Sequence, residues 1–188
     1  MNLKNLSDKL RYSIIKMSSS TGSPHLASSL SCIDIVTTLY ESVLKIDSKN
    51  SKWDQRDRFI LSKGHAAAAL YVALEYKKFI SKQDLESYTK KGSLLEEHPS
   101  PKLNGVEAAT GSLGHGLPIG CGMALSAKIK KKDFMTYVLM SDGECNEGSV
   151  WEAALFAPAK KLNKLCAVVD YNKWQATGRS NDIMQIEP

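Results

Sequence analysis

No apolar run in the chain is long enough to span a bilayer, and the charged N-terminal stretch MNLKNLSDKLRYSIIKM is patterned as an amphipathic helix rather than a secretory leader. A membrane protein is therefore not expected, and a cytoplasmic location is. Cysteine is scarce. Cys32, Cys121, Cys145 and Cys166 show no paired spacing, which argues against a disulfide framework or a zinc site and for reduced, packed thiols. Cys145 stands apart, just past an Asp-Gly turn. There is no internal repeat, no low-complexity segment and no shift of composition that marks a boundary, so residues 1–188 are expected to form a single α/β domain with a sizeable core. The net charge of +5 gathers in lysine runs such as Lys128 to Lys132. At a helix end such lysines complement the helix dipole, so they read as a solvated terminus, not a nucleic-acid patch.

What is present alternates between helix and strand signals. Asn5 to Ser18 is expected to be helical, followed by a Ser/Gly/Pro-rich loop from Ser19 to Pro24. Ile33, Val36, Tyr40 and Val43 recur at three-to-four spacing, the mark of a second helix. Arg58 to Leu61 reads as a short strand and Ala66 to Ile80 as an apolar helix, while Ser81 caps a short polar helix containing Asp84 and Glu86. Residues 92 to 112 are rich in Gly, Ser and Pro and form a long connection, the kind that is usually functional in a compact domain. A helix over Leu117 to Lys130 precedes the most informative stretch.

In that stretch Thr136 to Met140 and Leu165 to Val169 both read as buried strands, and Gly148 to Lys161 has the composition of a crossover helix. The unit is βαβ, so both strands end on the same edge of a parallel sheet. Asp142 and Asn172, thirty residues apart, then meet there. Taken singly, an Asp-Gly after a strand is a turn and an Asn after a strand is ordinary. Together, a carboxylate, an amide oxygen and the backbone carbonyl of Trp174 form an all-oxygen set suited to Mg²⁺ or Ca²⁺, with further positions left for water and cofactor phosphate oxygens. Gly143 lets such a phosphate approach the main chain. This is also the edge on which open α/β sheets bind ligands.

All four histidines, His25, His65, His98 and His115, adjoin Gly or Pro at loop-to-helix junctions. A lone histidine is most often structural or merely exposed, but four in this setting point to a cluster around phosphate or sugar hydroxyls. In Thr110 to Gly116 the glycines either permit close approach to a flat ligand ahead of a helix N-terminus or make a flexible loop entering a helix. Glu147 and Glu152 sit at the start of the crossover helix, where the dipole favours acids.

The run SDGECNEGSVWEAA followed by VVDYNKWQATG closely resembles the thiamine-diphosphate and metal motif of transketolases. SPHLASSLSCIDIVTTLY, DRFILSKGHAAAALY, LLEEHPSP and TGSLGHGLPIGCGMAL fall in that family's order as well, so the resemblance covers nearly the whole chain. Ser141 departs from the pattern, standing where the family usually has glycine. It leaves the metal ligands untouched and makes the turn less tight.

The resemblance implies a parallel sheet flanked by helices that binds thiamine diphosphate and Mg²⁺ or Ca²⁺, with Asp142, Asn172 and Trp174 on the metal. It implies that His65 and Gly143 hold the diphosphate, that Gly111 and Leu113 flank the aminopyrimidine ring, and that His25 and His98 contact substrate and move protons. Glu147 matches a residue of a carboxylate network across the dimer interface. His115 stands where glutamine is common. The glutamate that faces the pyrimidine nitrogen in the family belongs to a second, pyrimidine-binding domain that this sequence does not contain. The implied protein is thus the N-terminal subunit of a split transketolase, short even for that half. It would work with a C-terminal partner subunit, as a dimer of heterodimers, in moving a two-carbon ketol unit from a ketose phosphate to an aldose. His25-Leu26-Ala27-Ser28-Ser29-Leu30 also fits a deoxyxylulose-phosphate-synthase-like decarboxylating ligase, and a non-catalytic cofactor-binding scaffold subunit is the alternative of a different class.

Overall fold

A computed structural model describes residues 2–186. Met1, in the expected N-terminal helix, and Glu187 and Pro188, at the chain's end, lie outside the described residues. The described residues fall into two compact units that the chain visits alternately, one formed by residues 2–56 and 64–111, the other by 57–63 and 112–186.

The first unit is helical. Helix α1 (Leu3–Thr21) starts where the Asn2 side chain accepts from the Lys4 N–H, and it buries Leu6, Leu10, Ile14 and Met17 along one stripe. It is longer than its expected Asn5–Ser18 core and runs into the loop expected from Ser19. Helix α2 (Leu26–Thr38) begins seven residues before Ile33 and closes in a π-helical turn over Leu39–Val43. Helix α3 (Ala67–Tyr76) is buried from Ala67 to Leu74 on every side, which an all-apolar segment requires. It packs with α1 and α2. Helix α4 (Lys82–Glu86) carries the expected Ser81 cap, a full capping box with Asp84. The long connection has no regular structure, but the Tyr71 hydroxyl donates to the carbonyls of Glu96 (2.8 Å) and His98 (3.3 Å) and so ties it to α3.

The second unit is the α/β part. Strands β1 (Arg58–Leu61), β2 (Thr136–Ser141) and β3 (Leu165–Asp170) form a parallel sheet in that order, with Leu61 paired to Leu139 and Ser141 to Asp170. Helix α5 (Gly116–Ile129) packs on this sheet, and crossover helix α6 (Gly148–Ala159) packs on α5. The βαβ unit and the α/β class are as the sequence implies. β2 is buried, being the central strand. β3 is not the buried strand its apolar run suggests: Val169 is 40% exposed, because among the described residues β3 lies at one edge of the sheet and its main packing neighbours are β2 and α5. Cys166, on β3, is likewise half-buried, whereas Cys32, Cys121 and Cys145 are buried.

Three helices end with a device that no glycine announces. Lys78 after α3, Lys131 after α5 and Lys161 after α6 adopt left-handed φ values of 66°, 52° and 52°. The next residue's N–H then reaches back to an earlier carbonyl, Phe79 to Leu74, Lys132 to Ala127 and Leu162 to Ala157. This explains why α3 stops at Tyr76 instead of Ile80, and α6 at Ala159 instead of Lys161.

Gly120 lets α5 lie close against the sheet, since a Cβ there would sit 2.6 Å from Val138 Cγ2, in the buried middle of β2. Gly122 on the same helix has nothing within 4 Å. Gly120→Ala is expected to lose about 1–3 kcal/mol by overpacking, whereas Gly122→Ala should gain about 0.5–1 kcal/mol from reduced unfolded-chain freedom. Melting temperatures by calorimetry should move in opposite directions for the two variants.

Candidate functional site

Within the first unit the fold gathers three of the four histidines. His25 precedes α2, His65 lies in the 3₁₀ turn Gly64–Ala66 that leads into α3, and His98 lies in the long connection held by Tyr71. Ring centroids of His25 and His65 are 5.7 Å apart and those of His25 and His98 6.0 Å, both edge-on, so His25 is the middle member. All three are half-buried. Gly111 lies against His98: a Cβ there would be 3.5 Å from His98 Cγ. Gly64 has no room for a side chain, its Cβ position being 2.1 Å from the Thr110 carbonyl oxygen, so this glycine lets the His65 turn close on the Thr110 loop. His115 lies in the second unit, where it precedes α5, is exposed and makes no cap hydrogen bond.

The Asp142 turn lies in the second unit. β2 ends at Ser141 beside Asp170, which sets Asp142 and the Asn172 loop at neighbouring strand ends. Asp142 is fully buried, yet its partners are neutral. Oδ1 accepts from the Gly143 N–H (2.9 Å), Oδ2 accepts from the Ser180 hydroxyl (2.6 Å), and no described cation pairs with it. Asn172 Oδ1 accepts from the Trp174 N–H at 2.8 Å, opening the antiparallel hairpin of β4 (Trp174–Gln175) and β5 (Gly178–Arg179). The indole of Trp174 is exposed under Arg179. Helix α7 (Ser180–Ile183) follows, and the Ser180 N–H returns to the Lys173 carbonyl at 3.1 Å. A buried carboxylate without a counter-charge is costly, and a divalent cation would supply that charge. Asp142, Asn172 and the Trp174 carbonyl therefore fit one as an oxygen donor set.

Around this turn stand residues that the sequence did not single out. Glu144 is fully buried. Its carboxylate accepts from the Ser62 hydroxyl, the Gly114 N–H (2.8 Å) and the Ser141 N–H (3.4 Å), while its own N–H donates to Ser141 Oγ (3.2 Å). Burial pushes this carboxyl above the ordinary range, against the opposing pull of those donors and of the Lys63 charge. Ser62 also accepts the Gly116 N–H at 3.1 Å, and Ser149 donates to the Gly114 carbonyl at 2.8 Å. The loop carrying Leu113 is thus fastened to the end of β1, to the Asp142 turn and to the start of α6. Glu147 is exposed at the N-terminus of α6, and its Cβ lies 2.7 Å from the Cβ position of Gly114, which leaves no room for any other residue there. Lys63 Nζ donates to Asp170 Oδ2 at 2.6 Å, a buried ion pair between the ends of β1 and β3. Glu144 lies within the recognised motif, but only burial marks it; Ser180 owes its place to a hairpin that no periodicity signals.

Comparison with known proteins places residues 3–187 on the family model described as transketolase, thiamine diphosphate binding domain. The chain is 41% identical over 181 residues to one of the subunits of the apulose-4-phosphate transketolase of Phocaeicola vulgatus, covering 96% of this chain and 64% of that one. It is 39% identical over 168 residues to the SqwG subunit of the 6-deoxy-6-sulfo-D-fructose transketolase of a Clostridium species, covering 89% of this chain and 61% of that one. The chain therefore spans somewhat under two thirds of these relatives. Against solved structures, transketolase of Campylobacter jejuni superposes with a TM-score of 0.93 at 31% identity, over 100% of this chain and 31% of that one.

The three donors that converge on Glu144 make a sharp test. In Glu144→Ala the Gly114 N–H, the Ser141 N–H and the Ser62 hydroxyl lose their shared acceptor, each at about 1–3 kcal/mol when buried. The expected outcome is a loss of roughly 3 kcal/mol or more in denaturant unfolding, with Glu144→Gln, which keeps one acceptor oxygen, falling between wild type and Ala.

Proposed function

The chain belongs to the transketolase family, through its thiamine diphosphate binding domain, and from that premise we propose that it is the N-terminal subunit of a split, cytoplasmic transketolase. Residues 1–188 act as its cofactor-binding domain. Its partner is a C-terminal subunit with the pyrimidine-binding domain, and the two assemble as a dimer of heterodimers. The reaction is transfer of a two-carbon ketol unit from a ketose phosphate to an aldose. Relatives named as transketolase subunits support the division of the enzyme between two chains. Among the described residues no helix is long and apolar enough to cross a membrane.

The observation that carries the reading is the buried, uncompensated carboxylate of Asp142 at the strand ends beside the Asn172 loop. Asp142, the Asn172 amide oxygen and the Trp174 carbonyl hold Mg²⁺ or Ca²⁺. Thiamine diphosphate, when bound, supplies the electron sink for breaking and remaking the bond beside the ketose carbonyl. The chain's own residues do the rest. Gly143 admits the diphosphate to the main chain, and His65, at a turn leading into a helix, helps hold that anion. Gly111 and Leu113 flank the aminopyrimidine ring. His25 and His98, neighbours in the cluster, bind the substrate oxygens and move protons to and from them. Glu147, exposed at the head of α6, joins a carboxylate network with the partner copy.

A ligand at 100 times its dissociation constant adds about 2.7 kcal/mol to stability. Mg²⁺ with thiamine diphosphate should therefore raise the melting temperature of the wild-type protein and leave Asp142→Ala where it was; a shift that persists in the variant removes the metal assignment. Reconstituted with its partner, the protein should show ketol transfer that neither subunit shows alone. In that complex His65→Ala should chiefly raise the cofactor concentration needed, while His25→Ala and His98→Ala lower turnover with cofactor affinity nearly unchanged. A kinetically silent His98→Ala would refute the assignment of His98 and point to a scaffold role.

A further inference from the structure

We propose that Ser180 is a positioning residue for the bound metal, holding the Asp142 carboxylate in register with the Asn172–Trp174 loop and so favouring Mg²⁺ over Ca²⁺. The inference rests on the metal reading given above and extends it to a residue outside the motif. After β3 the chain passes Asn172, turns at Lys173, whose φ is 65°, and runs out and back through β4 and β5. Trp174 pairs with Arg179 across that hairpin, so Ser180, the next residue, arrives beside Lys173. There its N–H donates to the Lys173 carbonyl at 3.1 Å, and its own carbonyl accepts the Met184 N–H at 2.9 Å. With its main chain fixed in this way, Ser180 donates its hydroxyl to Asp142 Oδ2 at 2.6 Å. Both residues are buried, Ser180 at 1% and Asp142 at 0% exposure. One residue therefore touches both parts of the oxygen set, by its main chain between Asn172 and Trp174 and by its side chain at Asp142.

The terminal torsion of an aspartate is broad, so a carboxylate held at one oxygen keeps freedom to turn. The Gly143 N–H holds Oδ1 at 2.9 Å, and the Ser180 hydroxyl, which has a single proton to give, holds Oδ2. Carboxylates that ligate metals are themselves held by outer hydrogen bonds of this kind, and losing one typically weakens metal binding about 10- to 100-fold. The two ions that suit an all-oxygen set do not depend equally on the restraint. Mg²⁺ demands near-ideal octahedral geometry, whereas Ca²⁺ accepts more oxygens in flexible arrangements. A carboxylate fixed at both oxygens therefore favours Mg²⁺ more than it favours Ca²⁺.

A residue that merely holds the hairpin together and one that aims the carboxylate move different measurements. Ser180→Ala removes the hydroxyl and little volume. In calorimetric titrations of the full chain with each metal at saturating thiamine diphosphate, its dissociation constant for Mg²⁺ should rise about 10-fold or more. That for Ca²⁺ should rise by a smaller factor, so that the preference for Mg²⁺ falls. Arg179→Ala is the control: it loosens the hairpin by removing the guanidinium whose Cζ lies 4.9 Å from the centre of the Trp174 ring, and it leaves the Ser180 hydroxyl in place. The ratio of the two constants should stay at the wild-type value in this variant. Unchanged Mg²⁺ affinity in Ser180→Ala, while Asp142→Ala loses metal binding, would overturn the proposal and leave the function standing. Equal losses for both ions, or the same fall in preference in Arg179→Ala, would overturn it too, by making Ser180 a structural residue of the hairpin. Normal metal and cofactor binding by Asp142→Ala would instead remove the metal reading itself, and this proposal with it.

Discussion

A carboxylate taken wholly out of water must be met by donors, and Glu144 is the point at which the α/β unit meets that demand. Its oxygens collect the hydroxyl of Ser62 from the end of β1, the N–H of Gly114 from the loop before α5 and the N–H of Ser141 from the end of β2. Three segments far apart in the chain are thereby held to one geometry. The close approach requires glycine at 114 and 116, where any Cβ would collide with Glu147 and Ser149 or with Ser62. Rigid support of this kind lets a binding site present its groups without first having to order them.

Much of this architecture is legible in the amino-acid order. The strand–helix–strand succession comes through because parallel strands are continuous apolar runs, and Asp-Gly and Asp-Tyr-Asn punctuate their ends. Helix ends are harder to read, because Lys78, Lys131 and Lys161 take a backbone conformation that normally announces itself as glycine. The exposure of β3 is hidden for a different reason: an apolar strand looks the same in sequence whether it is central or at an edge.

The histidine cluster shows in its Gly and Pro neighbours, and the structure supplies its order, with His25 between the other two. Around the Asp142 turn the sequence signals are mixed. Asp142, Gly143 and Asn172 are named by the motif, whereas Ser180, which donates to Asp142, depends on a hairpin of two two-residue strands, too short to leave a periodicity. Glu144 stands in plain view but looks like any other acid near a helix start until its burial is known. What a sequence conceals here is mostly which polar groups have lost their water.

The Lys63–Asp170 pair has a bearing on how such a chain can change over generations. It spans the sheet from the end of β1 to the end of β3, and both groups are buried. Breaking a buried pair by removing one partner costs about 3–5 kcal/mol, whereas exchanging both for apolar residues of similar volume is often close to neutral. A lineage that replaces this pair must therefore cross a deep valley one step at a time or leap it with two substitutions together. Two codons more than a hundred positions apart are in this way inherited as if they were one.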